Sequence, residues 1–255
     1  MTRRPTASRP LRDRTVVVTR PADQSAPLVA GLRRLGARTI VAPAIEIVPA
    51  RSAALTSALR ELESGGFSWM TLTSRATVEM LAARLPGPSA IGATKVAAIG
   101  DGTAAAFRRW AHRSPDLVPA TFTTAGLARA FPRGSGRVLC PRADIAPEGL
   151  EDALAAKGWS PTRVDAYRTR MPATLPAEAR QALRSGAVDA VTFTSASTVR
   201  GFVGALGPVR GSPRVVCIGP VTAAEARSRG LTVHAVARPH TIGGVVDAVV
   251  RVLSR

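Results

Sequence analysis

Hydroxyl side chains stand at the points where apolar, strand-like runs pass into helix-like segments. Ser74, Thr103, Ser195 and Thr222 occupy four such junctions. The first turn of a helix has unsatisfied backbone N–H groups and a partial positive charge, so it stabilises carboxylates and phosphates, and a hydroxyl supplies another donor. Plain N-capping explains any one of these residues taken alone. Their recurrence predicts that the set binds a small anion with several acid groups.

Two glycines and two arginines accompany these hydroxyls. Gly100 and Gly219 lie in turns that allow a ligand close to the backbone, but neither turn has the spacing of a dinucleotide-binding or phosphate-binding loop. Arg20 and Arg142 each follow an apolar run. A guanidinium there can bind a carboxylate through two hydrogen bonds, and a solvated surface arginine is an equally good interpretation.

Few side chains are suited to classical catalysis. The three histidines have no metal-ligand spacing, so we predict no metal, and neither Ser74 nor Ser195 has an evident histidine partner for acyl transfer. Tyr167 is the only tyrosine. With a pKa of about 10, a phenol keeps its proton at neutral pH and can donate it to a departing hydroxyl. The residues alone favour a structural strand tyrosine.

Composition narrows the class of protein. The 255 residues carry 35 Lys plus Arg against 17 Asp plus Glu, a net charge of +18, which favours an anionic partner. Residues 1–14 hold five arginines and two prolines without periodicity, so we predict a disordered basic tail. The sequence has no signal peptide and no run of about 18 apolar residues, which predicts a soluble cytoplasmic protein without a membrane span. Cys140 and Cys217 are predicted to be buried, reduced thiols.

The chain contains an internal repeat. Thr73-Ser74 matches Thr194-Ser195 at a separation of 121 residues, and further matches follow in the same order. They pair the segments 96–104 with 215–223, 123–126 with 241–244, and 15–32 with 138–154. Strand, turn and helix alternate in both halves, and the strands are continuously apolar, which predicts an α/β fold with parallel sheets covered by helices. Ligands of such sheets bind beyond the carboxyl ends of the strands.

Six short motifs, taken together, resemble the uroporphyrinogen-III synthase family over roughly residues 14–252. They are VVVTRP (16–21), TSRATV (73–78), AAIGDGTA (97–104), DAYRT (165–169), TFTSASTV (192–199) and CIGPVTA (217–223). The ordered set carries the resemblance, because each motif alone is short.

The resemblance implies two flavodoxin-like parallel-sheet domains joined by a two-stranded ladder, with the chain crossing twice. One domain would be discontinuous. In this sequence the expected boundaries are a tail at 1–14, one domain at 15–44 with 172–255, a second domain at 50–163, and a ladder at 45–49 with 164–171.

The same resemblance implies the reaction. Members close hydroxymethylbilane, a linear tetrapyrrole with eight carboxylates, into uroporphyrinogen III with loss of water and inversion of the last ring. They are hydro-lyases of haem biosynthesis that use no cofactor. Motif matching makes Tyr167 the expected catalytic residue. It assigns substrate binding to Ser74, Thr103, Ser195 and Thr222. The turns and strand ends described above add four further substrate-binding candidates: Arg20, Gly100, Arg142 and Gly219. A monomer is expected, with substrate held between two opposed helix-start edges.

Two other functions are also compatible with the sequence. A nucleic-acid-binding protein would use the net positive charge, but aromatic residues make up only 4% of the chain and offer few stacking platforms. A non-catalytic tetrapyrrole or anion sensor of the same fold would bind such ligands without turnover.

Overall fold

The computed structural model describes residues 9–207 and 211–254. The chain divides into two compact units. The first unit runs up to Glu46 and resumes at Arg170, and the second unit is Ile47–Thr169. The chain therefore leaves the first unit once and returns to it once.

Strands and helices alternate through both units. Among the described residues the strands, numbered in chain order, are β1 (Thr15–Val18), β2 (Arg38–Val41), β3 (Glu46–Pro49), β4 (Trp69–Leu72), β5 (Lys95–Ala98), β6 (Arg137–Ala143), β7 (Ser160–Arg170), β8 (Ala190–Phe193), β9 (Arg214–Cys217) and β10 (Val233–Val236). The α-helices are α1 (Ala26–Arg34), α2 (Ala53–Glu63), α3 (Arg75–Arg84), α4 (Asp101–Ala111), α5 (Thr124–Ala130), α6 (Leu150–Ala155), α7 (Ala177–Ser185), α8 (Ala196–Ala205), α9 (Pro220–Ser228) and α10 (Ile242–Leu253). Short 3-10 turns lie at Ala22–Gln24 and Pro88–Ile91.

The first unit is built on a parallel five-stranded sheet in the order β10-β9-β8-β1-β2. Its central strand β8 is buried along its whole length, and β1 is buried from Val16 to Val18. Separate apolar clusters cover the sheet: one contains Val17 and Phe193, and the other contains Val16 and Val18. Alternate side chains of one strand thus enter two cores, as continuously apolar strands require.

The second unit has a sheet in the order β3-β7-β6-β4-β5. The pairs β7-β6, β6-β4 and β4-β5 are parallel. Strand β3 lies beside β7, and β7 continues along β6, so the strand pair near the unit boundary is part of this sheet. Two five-stranded, predominantly parallel sheets confirm the predicted α/β fold class.

The repeat found in the sequence is visible as a repeated strand order. Residue Leu117 forms an isolated parallel bridge to Ala97 on β5, in the place that β10 takes beside β9. The order Leu117-β5-β4-β6-β7 therefore repeats β10-β9-β8-β1-β2. Because β1 and β2 come first in the chain but β6 and β7 come last within the second unit, the repeat is circularly permuted.

Part of the predicted basic tail is ordered. Residues 1–8 lie outside the described residues, but Leu11 is fully buried and its N–H donates to the carbonyl of Leu35 at 3.0 Å. Arg14 Nη1 is 2.8 Å from an Asp189 carboxylate oxygen. One apolar anchor and one ion pair therefore hold residues 9–14 on the first unit, where the sequence predicted disorder.

The described part of the chain has no helix that is both long and apolar enough to cross a membrane. Within the same residues, no group of three or more His, Cys, Asp or Glu side chains is placed to hold a metal ion. The cytoplasmic location and the absence of a cofactor stay predictions.

Because both cysteines are buried, we expect the protein to lose stability in alkaline solution. Burial raises the pKa of Cys140 from 9.0 to about 12 and that of Cys217 from 9.0 to about 11. Above about pH 9 the thiols ionise in the unfolded chain but stay protonated in the folded protein. The free energy of unfolding therefore falls as the pH rises above about 9, and these thiols do not change it at lower pH. Urea unfolding at pH 8 and pH 10 should show this fall. A Cys140→Ala, Cys217→Ala variant with the same fall would contradict it.

Candidate active site at the carboxyl edges of the two sheets

Parallel strands bring the predicted site residues to one edge of each sheet. In the second unit, Ser74 and Gly100 lie just after β4 and β5, and Arg142 and Tyr167 lie within the carboxyl-terminal parts of β6 and β7. Thr103 lies in the first turn of α4. In the first unit the corresponding set lies at the carboxyl ends of β1, β8 and β9 and consists of Arg20, Ser195, Gly219 and Thr222.

Ser74 begins α3 and contacts the single tyrosine. Its Oγ accepts a hydrogen bond from the backbone N–H of Thr77 at 3.1 Å, which caps the helix. The same Oγ lies 3.0 Å from Tyr167 Oη and 3.0 Å from Thr77 Oγ1. Ser74 therefore does cap its helix, and it also links Tyr167 to Thr77 in a chain of three hydroxyls.

Tyr167 is only 8% exposed and packs in an apolar cluster of the second unit. Burial raises the pKa of its phenol, while the hydrogen bond with Ser74 acts in the opposite direction. The neutral form is the one that burial favours. Tyr167 therefore holds its proton throughout the neutral range and can act as a proton donor.

The start of α4 has no side-chain cap. Gly100 precedes its first residue, and Asp101 adds a negative charge to the first turn. Thr103 is buried, and its hydroxyl makes no hydrogen bond with the described residues. The turn thus offers backbone N–H groups and one uncommitted hydroxyl beside an acidic side chain.

The first unit repeats this arrangement at α9. Gly219 precedes the helix, again with no side-chain cap, and the hydroxyl of buried Thr222 has no hydrogen-bond partner in the described part of the chain. Val221 in the first turn is 58% exposed. No acidic side chain lies in this turn, so the start of α9 is a more favourable place for an anion than the start of α4.

Ser195 is the counterpart of Ser74 but has different neighbours. Its Oγ accepts from the N–H of Thr198 at 3.2 Å, and the two residues form a reciprocal capping box on α8. This hydroxyl also lies 3.0 Å from Ser197 Oγ and 3.4 Å from Thr198 Oγ1. The first unit therefore has the cap without the tyrosine.

Both predicted arginines are buried, which excludes the solvated surface arginine that was the alternative interpretation, and their assignment to substrate binding stays a prediction. Arg142 is 1% exposed, and its Nη1 donates to both carboxylate oxygens of Glu151 at 2.9 and 3.0 Å. It lies within β6 because that strand continues alongside β7. Arg20 is 7% exposed and donates from Nε to the carbonyl of Gln24 at 3.0 Å. As placed, neither guanidinium is open to a dissolved carboxylate.

The ion pair of Arg142 predicts a large stability effect at Glu151. Glu151→Gln leaves a buried guanidinium without its counter-charge, so we expect the free energy of unfolding to fall by about 3 kcal/mol. Asp152→Asn removes the same charge from the next, exposed residue of α6 and should change stability by less than about 0.5 kcal/mol. Urea unfolding at pH 7 measures both. Equal effects of the two substitutions would contradict a structural role for the pair.

Sequence reasoning missed the partners that organise these residues. Glu151 follows Arg142 by nine residues, a separation with no helical or strand period, so only the fold brings them together. Thr77 is the third residue of α3, and its match to Thr198 at a separation of 121 residues was the available signal.

Fold and site together define a class: an α/β protein with two predominantly parallel sheets, each with an uncapped helix start and hydroxyl side chains at its carboxyl edge. The family model of uroporphyrinogen-III synthase HemD matches residues 26–247 of the chain. The uroporphyrinogen-III synthase of Synechococcus elongatus is 30% identical over 95% of this chain and 97% of its own length. The chloroplastic uroporphyrinogen-III synthase of Oryza sativa is 28% identical over 85% of this chain and 73% of its own length.

A solved structure has the same fold. That of a mutant uroporphyrinogen III synthase from Thermus thermophilus superposes with a TM-score of 0.67 at 22% identity, covering 94% of this chain and 98% of the other. The chain belongs to the uroporphyrinogen-III synthase family, a family of cyclising hydro-lyases in tetrapyrrole biosynthesis.

Proposed function

We propose that this protein closes hydroxymethylbilane to uroporphyrinogen III, with Tyr167 as the proton donor and helix starts as the carboxylate-binding groups. One observation carries the proposal. At a helix-start edge the only phenol of the chain is kept protonated by burial, and its hydroxyl lies 3.0 Å from Ser74 Oγ. Family membership supplies the substrate.

The first chemical step is the departure of the hydroxyl group from the first ring. Tyr167 donates its proton to that hydroxyl, the C–O bond breaks, and water leaves an azafulvenium cation on the substrate. The last ring attacks this cation through its substituted carbon and gives a spiro intermediate. That intermediate fragments and recloses with the last ring inverted, and the proton lost on closure returns to the phenolate.

Ser74 determines where the phenolic proton points. Its Oγ accepts from the Thr77 N–H, and either hydroxyl can be the donor in its contacts with Tyr167 and Thr77, so the catalytic arrangement is the one in which Ser74 donates to the oxygen of Tyr167. In that arrangement Tyr167 accepts from Ser74 and its O–H is free to donate to the leaving hydroxyl. Ser74 is therefore a positioning residue for the proton donor.

Removal of this positioning hydroxyl gives a testable difference from simple loss of a cap. Ser74→Ala should lower kcat about tenfold with little change in KM, because one hydrogen bond to the donor is lost. Ser52→Ala is the matched control. Ser52 caps α2 in the same unit through the N–H of Leu55, also at 3.1 Å, and the described residues place no tyrosine against it. Equal losses of kcat in both variants would show that Ser74 acts only as a helix cap.

Substrate carboxylates bind at the starts of α4 and α9 in this proposal. Gly100 and Gly219 leave the backbone amides open, and Thr103 and Thr222 add hydroxyls that have no hydrogen-bond partner among the described residues. The net charge of both units supports this binding mode. The first unit has 20 basic and seven acidic residues, and the second unit has 15 basic and ten acidic residues. Such a field attracts a substrate with eight carboxylates.

The isomer that forms is decided by how the substrate is held. Closure without inversion gives the type I isomer and needs no enzyme. Binding several carboxylates at once restricts the linear chain to conformations in which the substituted carbon of the last ring reaches the cation. Differential stabilisation of that geometry accounts for catalysis with few reactive side chains.

The reaction itself tests the proposal. Freshly prepared hydroxymethylbilane is incubated with the protein, the products are oxidised, and the type I and type III porphyrins are separated by chromatography. An excess of type III over the mixture formed without protein is expected. A product mixture identical to the spontaneous one, with porphyrin still bound, would instead support a non-catalytic sensor.

We infer that one copy of the chain suffices, because a single chain carries both helix-start edges and the proton donor. Sedimentation velocity at assay concentration is expected to give a monomer of 26.5 kDa. A rate per chain that rises with protein concentration would contradict this inference.

A further inference from the structure

Each unit places a ring against the glycine that precedes a helix at its carboxyl edge. In the second unit the ring is Phe122: a Cβ added to Gly100 would lie 2.8 Å from its Cγ. In the first unit the ring is His240, whose Cγ would lie 3.8 Å from a Cβ on Gly219. The two rings stand in matching positions, because each immediately precedes the threonine that caps the following helix.

The same tight turn holds both rings. The N–H of Thr123 donates to the carbonyl of Thr121 at 2.8 Å, and the N–H of Thr241 donates to the carbonyl of Pro239 at 2.9 Å. Each bond spans two residues and closes a three-residue turn, with the ring residue at its centre. The backbone of the ring residue is therefore fixed in the same way in each unit.

A glycine in the next helix locks each turn in place. A Cβ on Gly126 would approach the Thr121 carbonyl oxygen to 2.0 Å, and one on Gly244 would approach that of Pro239 to 2.0 Å. Each glycine also donates its N–H to the capping threonine. Because only glycine fits, the close approach of turn to helix is built into both units.

The Phe122 ring, and not the backbone conformation, explains why a glycine occupies position 100. Its φ of 178° is extended and is open to any residue. The missing side chain instead leaves room for Phe122, which is nevertheless 48% exposed. A phenyl ring that occupies the space of the missing Gly100 side chain, in a residue that is about half exposed, offers a flat apolar face beside the uncapped start of α4.

His240 offers a comparable surface. Its Nδ1 lies 2.7 Å from the carbonyl oxygen of Ala237. Since a carbonyl only accepts, Nδ1 carries the proton of this hydrogen bond, and the orientation of the ring is fixed. Nε2 has no partner among the described residues, and the side chain is exposed.

We propose that Phe122 and His240 are substrate-positioning residues, each packing its ring against a pyrrole ring whose acid side chains bind at the adjacent helix start. The inference rests on the proposed function, which supplies a ligand that alternates apolar rings with carboxylates. Aromatic pairs gain stability from such packing beyond the area they bury. Backbone amides alone would bind the acid groups without fixing the rings that carry them.

Affinity for uroporphyrin III, the stable oxidised product, tests the rings directly through porphyrin fluorescence. Phe122→Ala and His240→Ala should each weaken binding about tenfold. Phe122→Tyr and His240→Phe keep a flat ring and should bind within about twofold of the unaltered protein, by the same stacking argument. Phe122→Leu keeps apolar volume without a flat face and should fall between, which separates stacking from loss of packing.

A double-mutant cycle adds a readout that mere destabilisation would not give. Gly100→Ala should weaken binding because its methyl group displaces the Phe122 ring. In a Phe122→Ala background the same substitution should have little further effect, since the obstructing ring is gone. If the two substitutions instead weaken binding independently and additively, the contact between the Gly100 methyl group and the Phe122 ring is not the cause of the weaker binding.

Different results would reject the proposed function and the ring inference. Absence of excess type III product from the unaltered protein would reject the proposed function. Normal type III production with unchanged affinity in Phe122→Ala and His240→Ala would reject the ring inference alone, as would an equal loss of affinity in Phe122→Tyr and Phe122→Ala.

Discussion

Replacing Tyr167 with Phe is expected to slow turnover of hydroxymethylbilane about 100-fold while product affinity stays close to that of the unaltered protein. The substitution removes one oxygen and keeps the ring that packs in the core of the second unit. The proposed proton donor is lost, but the helix starts that we propose as carboxylate-binding groups are unaltered. A fall in kcat with little change in KM is the signature of an interaction made in the transition state.

The pH profile provides the internal control for this variant. Because burial raises the pKa of Tyr167, the rate of the unaltered protein should not fall through loss of the phenolic proton until the solution is strongly alkaline. The much lower rate of Tyr167→Phe should lack that alkaline fall. Unchanged kcat in the variant, after subtraction of spontaneous closure, would remove Tyr167 from the mechanism.

Val221→Asp should raise KM about tenfold and at the same time stabilise the protein. Val221 is 58% exposed in the first turn of α9. A carboxylate there interacts favourably with the helix start, for a gain of about 0.3–1 kcal/mol in the free energy of unfolding. The same charge repels a substrate carboxylate that binds at this helix start. At such short distances, two like unit charges repel each other by about 1 kcal/mol or more.

The opposite signs make this prediction specific. Val221→Asn has nearly the same shape as the aspartate variant without its charge, and it should leave KM within about twofold. Raising the salt concentration should reduce the difference between the two variants, since screening weakens exposed charge interactions. Equal KM values for Val221→Asp and Val221→Asn at low salt would show that anions do not bind at the start of α9.

Much of the fold could be predicted because local signals and tertiary structure agree. Strand β8 reads as four consecutive buried residues and is central in its sheet, and Ser195 caps the helix that follows. The discontinuous arrangement came from family resemblance and not from pattern. β1 pairs with β8 across more than 170 residues, and no local preference encodes such a pairing.

The site was predicted less completely, because its details depend on contacts that are remote in sequence. For Arg142 the sequence left a carboxylate-binding position and a solvated surface position equally open, and the fold buries it against Glu151. Phe122 and His240 drew no attention as isolated residues, since their placement depends on Gly100 and Gly219, about 20 residues earlier in the chain. Hydroxyls at helix starts could be predicted, because capping acts within one turn.

Backbone amide shifts measure the central claim most directly. In a titration of the ¹⁵N-labelled, deuterated protein with uroporphyrin III, the largest shifts are expected in the first turns of α4 and α9, from Gly100 to Thr103 and from Gly219 to Thr222. The octamethyl ester, which has no negative charge, should leave these amides nearly unchanged. Shifts confined to the amino-terminal edges of the sheets, or identical shifts with acid and ester, would contradict carboxylate binding by helix starts.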